Sequence, residues 1–234
     1  MIEKERLIKA PTITAGEVAE DDYIMIDSPT LGVRKYLASK LTPEPYLARW
    51  DFSQGNNRFV DEINGFVLED NNVMVLGTYI YLDTGSSYLK IPNSLMFNFN
   101  GSYQSLDYEI DMKEYIQTTV RCLTLSNNWG NSSDKMLGLT YYLNSWGVWI
   151  PDSMHKIDGA KSKSFFDDSK ITVRFEKTDN LNLKISVYKN DNLLIEVPNI
   201  SRTTYETMQA MSLGSFRNAG KQQTTGFRIK QNFT

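Results

Sequence analysis

In the stretch DYEIDMKEY, Glu109, Asp111 and Glu114 have the spacing Glu-x-Asp-x-x-Glu. Paired carboxyl groups cleave glycosidic bonds when they stand about 5 to 5.5 Å apart, one as nucleophile and the other as acid and base. Residues i and i+2 of a strand share a face, so Glu109 and Asp111 are neighbours, whereas i+5 points the other way. Glu114 joins them only if a bulge adds a residue in between. The plainer reading is a half-buried structural strand, with Ile110 and Met112 in a core and Glu109, Asp111 and Lys113 facing water. Lys113 would then form surface pairs of little energetic worth. The structural strand is the expectation.

A second group of residues has the chemistry of sugar binding, in which aromatic faces stack on pyranose C–H groups and amides reach the hydroxyls. Trp129 follows Asn128 in the loop-like LSNNWGNSSDK. Downstream, YYLNSWGVW read as one strand places Tyr142, Asn144 and Trp146 on a common face. Leu139, Tyr141 and Leu143 then fall on the opposite, core-facing side. Asn128, Trp129, Tyr142, Asn144 and Trp146 are therefore the expected glycan-binding residues. The alternative is that Trp146 and Trp149 simply pack between sheets.

Other chemistries find little support. The single cysteine, Cys122, excludes a disulfide framework and sits in the β-branched run TTVRCLTLS, as a small buried hydrophobe would. One histidine, His155, is too few for a histidine metal site, and no metal or cofactor is expected. With 25 basic residues against 28 acidic and a pI near 5.3, no nucleic-acid surface is expected. Arg202, Arg217, Lys221, Arg228 and Lys230 against Glu206 alone make the C-terminal stretch basic, and it reads as a solvated face. No run approaches the roughly 20 apolar residues of a membrane span. The charged opening MIEKERLIKA lacks a signal-peptide core, so synthesis in a cytosol is expected.

The elements that must position these residues are strands. Residues 1–42 hold the alternating DDYIMID, a turn at SPTLG and a return through VRKYLASKL as strand or short helix. So small a unit, with few apolar groups, must dock on something. Pro43 and Pro45 mark a boundary. From residue 43 to 234 the hydrophobic period is 2. TYIYLDTGSSYLKIP reads as a hairpin turning at DTGSS, and KITVRFEKTDNLNLKISVYKNDNLLIEV as paired strands joined at KTDN and KNDN, with Leu181 in the alternating set. About a dozen such strands make an all-β, antiparallel β-sandwich of jelly-roll type.

Residues 46–234 resemble the laminin-G/concanavalin A-like lectin-glucanase sandwiches, through the aromatic opening strand ARWDF, the stretch Tyr81–Pro92 and the closing LGSF and TGFRIKQNF. The carboxylate string is also similar to that of family 16 β-glucanases, which use a bulged variant. The lead-in NGSYQSLDY lacks the tryptophan-rich approach that resemblance would require. Residues 21–41 resemble the N-terminal anchors of bacteriophage fibre and receptor-binding proteins, which implies attachment to other virion proteins, usually as homotrimers. The expectation is a non-enzymatic virion protein, a fibre or receptor-binding subunit, whose sandwich contacts host surface glycan. A glycan depolymerase using Glu109, Asp111 and Glu114 is the first alternative, and a capsid decoration without a ligand the second.

Overall fold

The structure is a computed structural model that describes residues 23–28, 32–37, 46–55, 57–82, 87–116, 119–127, 135–142, 145–151, 153–158, 166–214 and 221–233. The chain divides into two compact units, Met1–Glu44 and Pro45–Thr234. In the first, β1 (Tyr23–Ser28) and β2 (Gly32–Leu37) pair antiparallel, from Tyr23 opposite Leu37 to Ser28 opposite Gly32. The described part of the return segment, Gly32–Leu37, is thus a strand, not a helix.

The second unit is an antiparallel β-sandwich. One sheet joins β4 (Glu69–Asn71), β7 (Tyr88–Ile91), β9 (Thr119–Ser126), β10 (Met136–Tyr142), β11 (Ser145–Ile150), β12 (Ser153–Lys156) and β16 (Ala210–Gly214), in the order β12-β11-β10-β9-β16-β7-β4. The other joins β5 (Met74–Leu76), β6 (Tyr79–Leu82), β8 (Ser105–Ile116), β13 (Ser169–Lys177), β14 (Asn182–Lys189), β15 (Asn192–Ser201) and β17 (Lys221–Asn232), in the order β15-β14-β13-β8-β17-β6-β5. A further strand, β3 (Tyr46–Asp51), pairs with the far half of β17. The α-helix α1 (Arg202–Glu206) is a single turn capped by the Ser201 hydroxyl, which accepts from the Thr204 amide.

Period-2 alternation builds the core, because every second side chain of each strand points inward. Leu106, Tyr108, Ile110 and Met112 do so on β8, in one continuous cluster with Leu137, Leu139 and Tyr141 of β10. The paired strands β13, β14 and β15 form the meander their alternation predicts. The Asp179 carboxylate accepts the Leu181 and Asn182 amides in the first turn, and Asn190 and Asp191 take positive φ in the second. Leu181 departs from its expected place: it lies in the turn, before β14 begins, and is exposed.

TYIYLDTGSSYLKIP is not a hairpin. β6 belongs to the eight-stranded sheet and β7 to the seven-stranded one, so the chain passes from one layer to the other between them. The sequence signal for a turn is the same in both cases, because strand partners are chosen by tertiary packing. Cys122 is fully buried, as expected, and is the extra residue of a bulge: Leu139 pairs with Leu123, but Thr140 pairs with Arg121. Burial pushes its thiol well above the ordinary range. A disulfide reagent at pH 8 should therefore leave the native protein unlabelled and take up one equivalent once urea unfolds it. Rapid native labelling would contradict this burial.

Candidate functional site

The carboxylate strand β8 runs through the middle of the eight-stranded sheet, between β13 and β17. Its outward residues meet a lattice of opposite charge. Asp107 accepts from Arg174 Nε and Nη2 at 2.7 and 2.8 Å. Arg228, directly across from Glu109 in β17, places Nη2 2.6 Å from Asp111 Oδ1 and Nε 3.1 Å from Glu109 Oε2. The second contact is an ion pair by distance, with the N–H out of line for a hydrogen bond. Glu109 does not face water as expected: it is only 6 % exposed beneath this guanidinium. Lys113 lies over the Tyr79 ring at 4.2 Å.

The β8–β17 ladder slips twice in quick succession. Gln223 pairs with Glu114 but Thr224 with Met112, so Lys113 is an extra residue on β8. Gly226 then pairs with Asp111, so Thr225 is an extra residue on β17. The bulge at Lys113 puts Glu114 on the outward face, in a row with Gln223 and Tyr81. The geometric condition that would join Glu114 to the other two carboxylates is met. The bulge at Thr225 is pinned from both sides: its carbonyl accepts the Phe52 amide at 3.0 Å and its hydroxyl donates to the Asp111 carbonyl at 3.3 Å.

The Thr225 bulge borders an open cleft on the outer face, lined also by Arg49, Asp51, Ser53, Glu62, Thr78, Asp111, Gly226 and Arg228, and enclosing about 1060 Å³ with its open solvent space. Gly226 leaves room at its floor, since a Cβ there would stand 2.9 Å from Asp111 Oδ2. The wall on the β3 side is rigid. Trp50, beneath it, stacks on Phe227 at 5.3 Å and donates to the Phe66 carbonyl. Buried Asp61 holds the following loop by accepting the Arg49, Ile63 and Asn64 amides. Asp51 accepts from the Ser53 hydroxyl at 2.7 Å, from the Ser53 amide and from Gln54. The Ser53 hydroxyl is the main reason its carboxyl is held below the usual carboxylate range.

The expected aromatic site is divided by the fold. Trp146 is 0 % exposed, whereas Tyr142 is 37 % exposed. Parity fails because β10 ends at Tyr142 and β11 begins at Ser145. Across that hairpin Tyr141 pairs with Trp146 and Tyr142 with Ser145. Trp146 therefore shares the core face of Tyr141, against Phe166 at 4.3 Å. Asn128, Trp129 and Asn144 lie outside the described residues. A second depression, lined by Asn93, Asn98 and Gln209, has Phe97, Phe99 and Tyr205 beneath it, but these rings pack edge to face and are buried, so no flat face is open for stacking. No cluster of potential metal ligands occurs among the described residues.

Sequence reasoning missed Arg49, Asp51, Glu62, Thr78 and Arg228 as a group. The signal available was the alternation in TGFRIKQN, which sets Arg228 between the core residues Phe227 and Ile229. Of the basic residues near the C-terminus, Arg228 is the partner of the β8 carboxylates Glu109 and Asp111 rather than part of a solvated face.

No family model and no curated protein matches the chain. Solved structures do. A Trypanosoma rangeli sialidase in complex with sialic acid matches over 82% of this chain at 13% identity and a TM-score of 0.53. The binding domain of botulinum neurotoxin DC, in complex with rat synaptotagmin II, matches over 81% at 11% identity and a TM-score of 0.52. The match takes in 32% of the sialidase chain and 49% of the toxin chain. At these identities the likeness is one of fold.

Proposed function

We propose that the chain is a glycan-binding virion protein: its N-terminal unit attaches to other virion proteins, and the outer face of its eight-stranded sheet binds a host surface glycan. The observation that carries the binding role is the cleft beside the Thr225 bulge, where five charged side chains and the Ser53, Thr78 and Thr225 hydroxyls converge around Gly226. Convergent polar groups on a rigid sheet are what orient a polyhydroxylated ligand. Carbohydrate appears among the fold neighbours, as the sialic acid bound to the sialidase. The virion role and the trimer rest on the resemblance of residues 21–41 to phage anchors.

A second reading keeps the carboxylates catalytic, and the bulge that turns Glu114 outward favours it. Against it, Glu109 and Asp111 are both engaged by Arg228. Both readings are tested by one experiment, in which the purified protein is incubated with host cell-wall polysaccharide and both retention and product release are followed. Retention without release is expected, lost on Thr78→Trp, which fills the cleft from an exposed rim position, and kept on Trp129→Ala. Loss on Trp129→Ala alone would move the ligand to the segment around Trp129. Product release abolished by Glu114→Gln would make the protein a depolymerase.

A further inference from the structure

We infer that the cleft selects an uncharged glycan and refuses a sugar bearing a carboxylate, such as sialic acid. This rests on the glycan-binding reading above and adds to it the ligand's charge class. Two arginines line the cleft against three carboxylates, Asp51, Glu62 and Asp111; behind them Glu109 stands as a fourth, with the Lys170 ammonium of the neighbouring strand acting on it. Anion recognition needs a guanidinium with a free fork, or a nest of unengaged amides. Arg228 has its Nη2 on Asp111 and its Nε against Glu109, so its charge is already compensated by two carboxylates. The Arg49 guanidinium lies 4.9 Å over the Tyr46 ring.

An incoming carboxylate would meet a net negative wall, and like charges brought together in a partly desolvated site repel. The same groups suit hydroxyls. Carboxylate oxygens accept from sugar O–H groups, while guanidinium N–H groups donate to them. Mild acid does not reverse the balance at Asp51, whose carboxyl the Ser53 hydroxyl keeps below its ordinary range. A fold shared with a sialic acid-binding protein therefore does not carry its ligand across.

The test is a glycan array on which neutral oligosaccharides stand beside their acidic counterparts: lactose beside sialyllactose, and xylo-oligosaccharides beside their glucuronic acid-bearing forms. Signals should favour the neutral member of each pair by at least about tenfold. They should fall on Thr78→Trp. In a double variant, Glu62→Gln with Asp111→Asn, the balance becomes two positive charges against one lining carboxylate. Its preference should shift toward the acidic members by a similar factor, with melting temperature confirming that it folds. A wild-type preference for acidic members would overturn the inference and leave glycan binding standing. Absence of binding to every sugar, together with unchanged host-wall retention in Thr78→Trp, would sink the glycan reading and the inference with it.

Discussion

Replacing Trp146 by alanine is expected to destabilise the sandwich by about 3–5 kcal/mol, the range for removing a large aromatic from a packed core. Its indole is fully buried, with Phe166 at 4.3 Å and Tyr141 at 5.5 Å between ring centroids. Truncation removes a whole side chain of contacts and leaves a cavity bounded by strands that cannot collapse into it. Tyr142→Ala is the companion measurement. That ring is more than a third exposed, sits edge to face on Trp149 at 5.6 Å, and should cost about 1 kcal/mol or less. Urea unfolding of both variants separates them. A Trp146→Ala protein as stable as wild type would mean that this side chain is not in the core.

Gly138→Ala should be damaging for a backbone reason, at about 3 kcal/mol or more. Gly138 has a φ of +147°, which L residues rarely adopt. A Cβ built there overlaps the Leu123 carbonyl oxygen and comes within 3.2 Å of the Thr124 Cα. Those atoms belong to β9, which is held between β10 and β16 and cannot retreat without breaking a ladder. Gly55→Ala is the control, since nothing lies within 4 Å of its added methyl, and its effect should stay within about 0.5 kcal/mol. Thermal melts suffice. Equal stability of the two variants would show that the β9–β10 contact is looser than its geometry.

Much of the sandwich was legible in the chain because burial leaves a period-2 trace. The inward rows of β8, β13 and β14 follow directly from the spacing of Ile110, Val173 and Ile185 and their neighbours, and the polar turns at KTDN and KNDN mark where strands reverse. Cys122 in its apolar run was readable as core for the same reason. The carboxylate face of β8 was visible too, since Asp107, Glu109 and Asp111 alternate with apolar residues.

What tertiary structure alone decided is which strand lies beside which, and where the ladders slip. β6 and β7 carry a turn signal between them yet enter different sheets, because local propensity reports a reversal and not a partner. Parity counted along YYLNSWGVW put Trp146 with Tyr142, and the hairpin pairing at Tyr142 and Ser145 undid it. Arg228 meets Glu109 and Asp111 across a separation of more than a hundred residues, and no local pattern encodes such a meeting. The bulges at Lys113 and Thr225 arise only where two strands of unequal count are pinned side by side. The cleft beside Thr225 is therefore a property of the pairing, although every residue that lines it was in plain view in the sequence.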